Sequence, residues 1–322
     1  NYGFLYHPQI GELADLVDLV ARGIYYADAV NTVSECYARE ILTPEYGERL
    51  DPLLSERRDR LYGVLNGIDT EMFNPSTDPY IASQYDISSL ERRAANKTAL
   101  QRAFGLQEDP NAPLIGMIAR LNDAKGLGLV ISVLDIMMAH LDAQFLALGI
   151  GDQKYHDALK QRTLQYPGRM GLYLGFDDKL ERLIYAGSDM FLMPSYVEPC
   201  GLGQMIAMRY GCVPVVRATG GLADTVKDYN PRSDEGNGFA FEPYDAMALY
   251  TTLVRAVETY KYPEVWRRLM LRGMAADFSW ETSARKYIDL YYRAVATRRG
   301  AHPPQDYAVL RRDSTAERMA GS

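Results

Sequence analysis

The chain has 322 residues, 47% hydrophobic and 24% charged, a balance that suits a globular protein able to bury a large core without disulfides or metals. Its formal charge is −7, from 35 basic and 42 acidic residues, so it lacks the basic face that neutralises nucleic-acid phosphates. Cys36, Cys200 and Cys212 show no C-x-x-C spacing, and with four scattered histidines there is no zinc pattern. The greasiest stretch, Ala186–Pro194, is broken by Gly187, Ser188 and Asp189, which excludes a membrane span. Asn1-Tyr2-Gly3-Phe4 lacks the order of a signal peptide, so a reducing cytoplasmic setting is expected, or the plastid stroma for a plant-like source.

A helical pattern over Glu12–Ala27 leads to a strand at Ala29–Val33 and a helix starting at Ser34; Tyr62–Leu65 reads as a further short strand. One and a half βα units are too few for an independent domain. Asn66-Gly67-Ile68-Asp69 is turn chemistry and marks a boundary. Ser88-Ser89-Leu90-Glu91 has the form of a capping box that opens a helix to about Phe104. Beyond Pro113, apolar runs at Leu114–Ala119, Ala143–Leu148, Gly171–Leu174, Asp189–Met193 and Val213–Val216 alternate with helical runs. The helices fall at Leu127–Leu141, Gln153–Tyr166, Asp178–Ala186 and Leu202–Tyr210. This pattern predicts an α/β fold with a doubly wound parallel sheet, whose ligands sit at the carboxyl ends of the strands. Helices near Ala246–Tyr260, Pro263–Ala275 and Trp280–Ala296 close the fold, and residues 299–322 read as a mobile tail. The expected division is 1–70, 71–298 and 299–322.

The residues suited to chemistry lie at strand ends. Pro194–Gln204 follows a strand and opens a helix, and Gly201 and Gly203 leave backbone N–H groups open to an anion such as a diphosphate. Glu198 would repel that anion unless it holds sugar hydroxyls or faces a developing cation. Alone, the stretch reads equally well as a turn with a surface glutamate. Arg120 and Lys125 stand five apart in another strand-end loop, where a guanidinium fork and an ammonium can converge on one phosphate pair. Taken singly, such cations are usually solvated surface.

Arg217–Asp224 adds a double glycine at the next strand end, whereas Gly149-Ile150-Gly151-Asp152 reads as structural and lacks dinucleotide spacing. With no P-loop, no G-x-S-x-G elbow and no aspartates two apart, a reaction independent of metal and cofactor is expected. Cys200 and Cys212 read as packed residues, His140 and His156 as surface or structural ones, and Ser279 as a helix cap.

These loops resemble those of ADP-glucose-type glycogen and starch synthases, retaining glycosyltransferases of the two-Rossmann-domain (GT-B) fold. The resemblance runs from about Tyr25 to Tyr292 and includes Tyr25-Tyr26-Ala27-Asp28, Thr32-Val33-Ser34, Tyr37-Ala38-Arg39-Glu40 and Gly63–Asp69. It continues through Glu198-Pro199-Cys200-Gly201-Leu202, Tyr210-Gly211, Thr219–Val226 and Asp277-Phe278-Ser279-Trp280. It implies transfer of glucose from ADP-glucose to the non-reducing end of an α-1,4-glucan, with retention. By position, Arg120 and Lys125 would grip the diphosphate and Glu198 would contact the donor glucose. The amides of Cys200, Gly201 and Leu202 would line the sugar-phosphate, with Gly203, Thr219 and Gly220 completing the substrate-binding set. Phe176, after Gly175, would stand where the family places a tyrosine against adenine, and Asn66 would reach the cleft from the hinge.

The differences from the family pattern are specific. There is no counterpart of its N-terminal lysine–glycine–glycine loop, nor of most of its first Rossmann domain, with the active-site histidine and most acceptor contacts. Ala124 stands for the usual Gln, Tyr196-Val197 for Arg-Phe, and Gly203 for Thr. The expected identity is therefore the donor-binding half of such a transferase, inactive without the N-terminal domain, whether that is supplied in cis or by a separate chain. Residues 1–70 would be a remnant of that domain, with an exposed apolar edge and the last helix crossing back onto it.

The partners implied are ADP-glucose or ADP and the glucan. Three readings compete: a fragment of a synthase, a natural subunit, or a non-catalytic module that senses nucleotide sugar or glucan. The start at Asn1 favours the fragment. A UDP-sugar-using relative is the rival within enzymes; those carry a second glutamate a few residues on, and Met205-Ile206-Ala207 has none.

Overall fold

The computed structural model describes residues 19–300. A small lobe comes first: α1 (Leu19–Tyr26), β1 (Val30–Thr32), α2 (Glu35–Glu40), α3 (Asp51–Glu56) and β2 (Leu61–Gly63). Strands β1 and β2 run parallel, with Val30 opposite Leu61 and Thr32 opposite Gly63. Ser34 caps α2 by accepting the Tyr37 N–H. The remainder of the expected Glu12–Ala27 helix lies outside the described residues, as do positions 301–322 of the expected tail.

The large lobe runs α4 (Arg93–Ala103), β3 (Leu114–Ile118), α5 (Leu127–His140), β4 (Gln144–Leu148), α6 (Gln153–Gln165), β5 (Met170–Tyr173) and α7 (Asp178–Gly187). It continues with β6 (Met190–Met193), α8 (Gly203–Arg209), β7 (Val213–Arg217), α9 (Gly220–Thr225), β8 (Phe239–Phe241), α10 (Ala246–Tyr260), α11 (Pro263–Ala275) and α12 (Trp280–Arg298). The six strands are parallel in the order β5-β4-β3-β6-β7-β8, a doubly wound sheet whose strand order reverses between β3 and β6.

Successive strand residues point to opposite faces, which splits the core in two. Ile115, Met117, Phe145, Met190, Leu192 and Val215 pack with Leu134, Leu253 and Trp266 on one face. Leu114, Leu146, Leu148 and Phe191 pack with Ile184, Tyr185, Ile206 and Tyr210 on the other. Because both faces are covered, the strands read as unbroken apolar runs.

The chain then returns to the small lobe. Ser279 caps α12, as expected, and bridges to Ile68. Along α12, Tyr287 accepts from Asn31, Lys286 reaches Glu35, and the Arg293 guanidinium lies over Tyr62. Apolar side chains remain exposed on α1, at Leu19 and Val20, and on α12, at Ile288, Tyr291 and Val295.

The expected capping box does not form. Ser88 and Ser89 turn their hydroxyls to the Asp86 carboxylate, and a 3₁₀ turn over Leu90–Arg92 leads into α4 instead. Ser89 Oγ donates to that carboxylate and accepts the Asp86 N–H in return, so it is held in the Asp86 turn rather than at the helix start.

Candidate active site

The reversal of strand order opens a crevice between the loops that follow β3 and β6. Gly126, at φ 75°, lies so close to this second loop that a Cβ there would collide with the Pro194 carbonyl. The Tyr196 N–H donates to the Ala124 carbonyl at 2.9 Å, tying the two loops together. A cavity of about 470 Å³ lies beneath them, lined by Lys125, Glu198, Gly201, Leu202, Gly203 and Ile206. Gly67–Asp69 of the segment after β2, Trp280 at the start of α12, and Glu181 and Tyr185 of α7 complete much of its wall.

Within this cavity Lys125 Nζ donates to Glu198 Oε2 at 2.6 Å, and Ser195 Oγ donates to the same oxygen at 2.9 Å. The Glu198 side chain is only 7% exposed, while Lys125 is 31% exposed. An ammonium held at the rim of a cleft and paired with a buried carboxylate can neutralise an arriving anion. The carboxylate is left facing whatever lies deeper.

The loop after β7 buttresses this arrangement. The Gly221 N–H donates to the Glu198 carbonyl at 3.0 Å, and Gly220 approaches that carbonyl with no room for a Cβ. The buried Gln204 amide donates to the Cys200 and Gly201 carbonyls and to Thr225. Two short helices from the two lobes then exchange carboxylates. Asp224, on α9, accepts from Ser34 Oγ at 2.7 Å and from the Cys36 N–H at 3.0 Å, at the start of α2. Glu40, on α2, accepts from Thr219 Oγ1 at 3.0 Å and the Gly220 N–H at 2.9 Å, at the start of α9.

The expected residues therefore separate. Lys125, Glu198, Gly201, Leu202 and Gly203 share the cavity. Cys200 is buried beside it, its sulfur meeting the Asn66 N–H and its thiol pushed up by burial. Thr219 and Gly220 are committed to Glu40. Arg120 is exposed at the end of β3, off the cavity wall. Gly175 packs near the Tyr173 ring, and Phe176 stands 73% exposed where the chain enters α7. Burial also pushes the Cys212 thiol up to about 12, so neither buried cysteine is a thiolate. His156 accepts from the Gly151 N–H and holds the Gly149–Asp152 turn, a structural role as expected.

Sequence reasoning missed Gln204, Glu181 and Tyr185. The first stands directly after the Cys200–Gly203 run, but nothing in its spacing marks it as a brace. Tyr185 reads as an ordinary core residue, and Glu181 as a solvated helix position.

A larger cavity, about 810 Å³, opens at the opposite, amino-terminal edge of the sheet beside Pro113 and Asp189. There Lys97 Nζ donates to Asp189 Oδ2 at 2.7 Å with both side chains under 10% exposed, so this ammonium is enclosed, whereas Lys125 is 31% exposed.

The pattern of the "Glycosyl transferases group 1" family matches residues 100–268, slightly more than half of the chain and most of the large lobe. The chain belongs to the group 1 glycosyl transferases. Residues 3–56 match the pattern described as "Starch synthase catalytic domain". A glycogen synthase of Moorella thermoacetica is 50% identical over 91% of this chain and 60% of its own length. Glycogen synthase 1 of Synechocystis sp. is 44% identical over 94% and 62%. The catalytic domain of starch synthase IV from Arabidopsis thaliana, solved bound to ADP and acarbose, superposes with a TM-score of 0.84 at 36% identity. That match covers 92% of this chain and 62% of the solved one. The chain thus spans about three fifths of the length of the relatives it matches, and the GT-B fold and synthase resemblance read from its motifs are borne out.

Proposed function

We propose that this glycosyltransferase chain binds ADP-glucose in the cavity under the β3 and β6 loops. It would deliver glucose, with retention, to the non-reducing end of an α-1,4-glucan. The observation that carries this reading is the Lys125–Glu198 pair, set at the reversal of strand order in a cavity lined by Gly201–Gly203. The relatives' names, and the ADP bound to the starch synthase IV domain, support it.

In this reading Lys125, joined by the exposed Arg120, neutralises the diphosphate as the glycosidic bond breaks. Glu198, freed in part from Lys125, takes hydroxyls of the donor glucose below. Such preorganised charge stabilises an oxocarbenium-like transition state and its leaving group. The adenine rests on Phe176. Residues up to about 70 form part of an acceptor-side domain, those from 71 to 298 form the donor domain, and the remaining acceptor contacts belong to the part of the relatives that this chain does not span.

Calorimetric titration with ADP and UDP tests the reading. We expect saturable ADP binding, weaker UDP binding, and a loss of about 2–5 kcal/mol for ADP in Lys125→Ala. Failure to bind either nucleotide would sink it.

A further inference from the structure

Among the described residues, three carboxylates line the cavity: Asp69, Glu198 and Glu181. Asp69 Oδ1 is taken by the N–H groups of Glu71 and Met72. Glu198 is taken by Lys125 and Ser195. Glu181 accepts from the hydroxyl of the buried Tyr185 and feels the neighbouring Arg182 guanidinium, but its half-buried position outweighs both and pushes its carboxyl above the ordinary range. A half-buried carboxylate with spare acceptor sites on a cavity wall is matched by a ligand bearing two adjacent hydroxyl donors. A phosphate is excluded at the same spot by its charge.

The position narrows the choice. Glu181 stands in the first turn of α7, whose entry carries the exposed ring of Phe176; Asp177, between them, is the helix cap. A base stacked on Phe176, with its diphosphate turned to Lys125 across the cavity, brings its pentose past the start of α7.

Resting on the donor-site reading above, we propose that Glu181 holds the ribose cis-diol of the nucleotide through hydrogen bonds from its 2′- and 3′-hydroxyls. Glu181 then selects ribonucleotides over deoxynucleotides, while Tyr185 aims the carboxylate.

The test is titration of the full chain with ADP, 2′-deoxy-ADP and 3′-deoxy-ADP, repeated with Glu181→Ala and Glu181→Gln. The wild type should prefer ADP over either deoxy analogue by about tenfold or more, the value of a hydrogen bond to a charged acceptor. Glu181→Ala should bind all three alike, and more weakly than the wild type binds either analogue, since each analogue still offers the wild type one hydroxyl. Glu181→Gln, which preserves an acceptor for Tyr185, should melt with the wild type and lose most of the preference. A preference undiminished in both variants overturns the assignment. So does a variant that weakens ADP-glucose alone, which would give Glu181 to the transferred sugar. Absence of ADP binding by the wild type would instead overturn the donor-site reading on which the assignment stands.

Discussion

Replacing Glu198 with glutamine should tighten ADP binding while removing the carboxylate proposed to meet the sugar. The Lys125–Glu198 contact is 2.6 Å, and at an effective dielectric of about 20 the gross attraction is roughly 6 kcal/mol. Water reaches Lys125, so most of that is returned, and a charge-assisted hydrogen bond of this kind nets about 1.5–3 kcal/mol. A diphosphate must share the ammonium with Glu198, forfeiting on the order of 1 kcal/mol, and it also meets the carboxylate's negative charge. Glu198→Gln lifts both costs, so Kd for ADP should fall roughly five- to tenfold. Calorimetry at two salt concentrations is the assay, with a smaller gain expected at higher salt. Unchanged or weaker ADP binding by a variant that melts normally would refute the idea that the two partners compete for Lys125.

Phe176→Ala should weaken ADP by about 1–3 kcal/mol, the value of a base stacked on an aromatic ring, and leave the melting temperature alone because the side chain is exposed. Lys97→Met strands Asp189, with both side chains under 10% exposed; the cost should be about 3–5 kcal/mol, or roughly 6–20 °C in Tm by calorimetry, with nucleotide binding intact. Hydrogen bonds from Thr282, and from the Ser279 N–H, hold the Asp277 carboxyl down at about 2, below its ordinary 3.8. A lowered folded-state pKa contributes stability that is complete above the ordinary value and lost as pH falls through the folded one. Thermal melts of Asp277→Asn should therefore lie below wild type at neutral pH and converge with it between about pH 4 and pH 2.

The sheet was legible because its strands are covered on both faces and read as unbroken apolar runs, Leu114–Ile118 and Val213–Arg217 being clear cases. What escaped was structure made by distant partners. Strand β8 is three residues long and hemmed in by Gly238 and Pro243, which read as loop. Helix α9 begins with two glycines, a poor local start, and its first N–H, that of Gly220, finds its partner in Glu40, 180 residues away in sequence. The site divided in the same way. Lys125 and Glu198 stand out by charge at strand ends, whereas Glu181 is one of several acids on helix surfaces until the fold turns it onto the cavity.

The exchange of carboxylates between α2 and α9 also sets an order of events during synthesis. Its four hydrogen bonds join residues 179 to 190 positions apart, so α2 leaves the ribosome long before α9 exists to receive it. At typical elongation rates that interval is on the order of ten to forty seconds. Throughout it, Ser34 and Glu40 lack their native partners in the large lobe. Until α9 has been made, then, the small lobe is without the four bonds that fasten it to the large one.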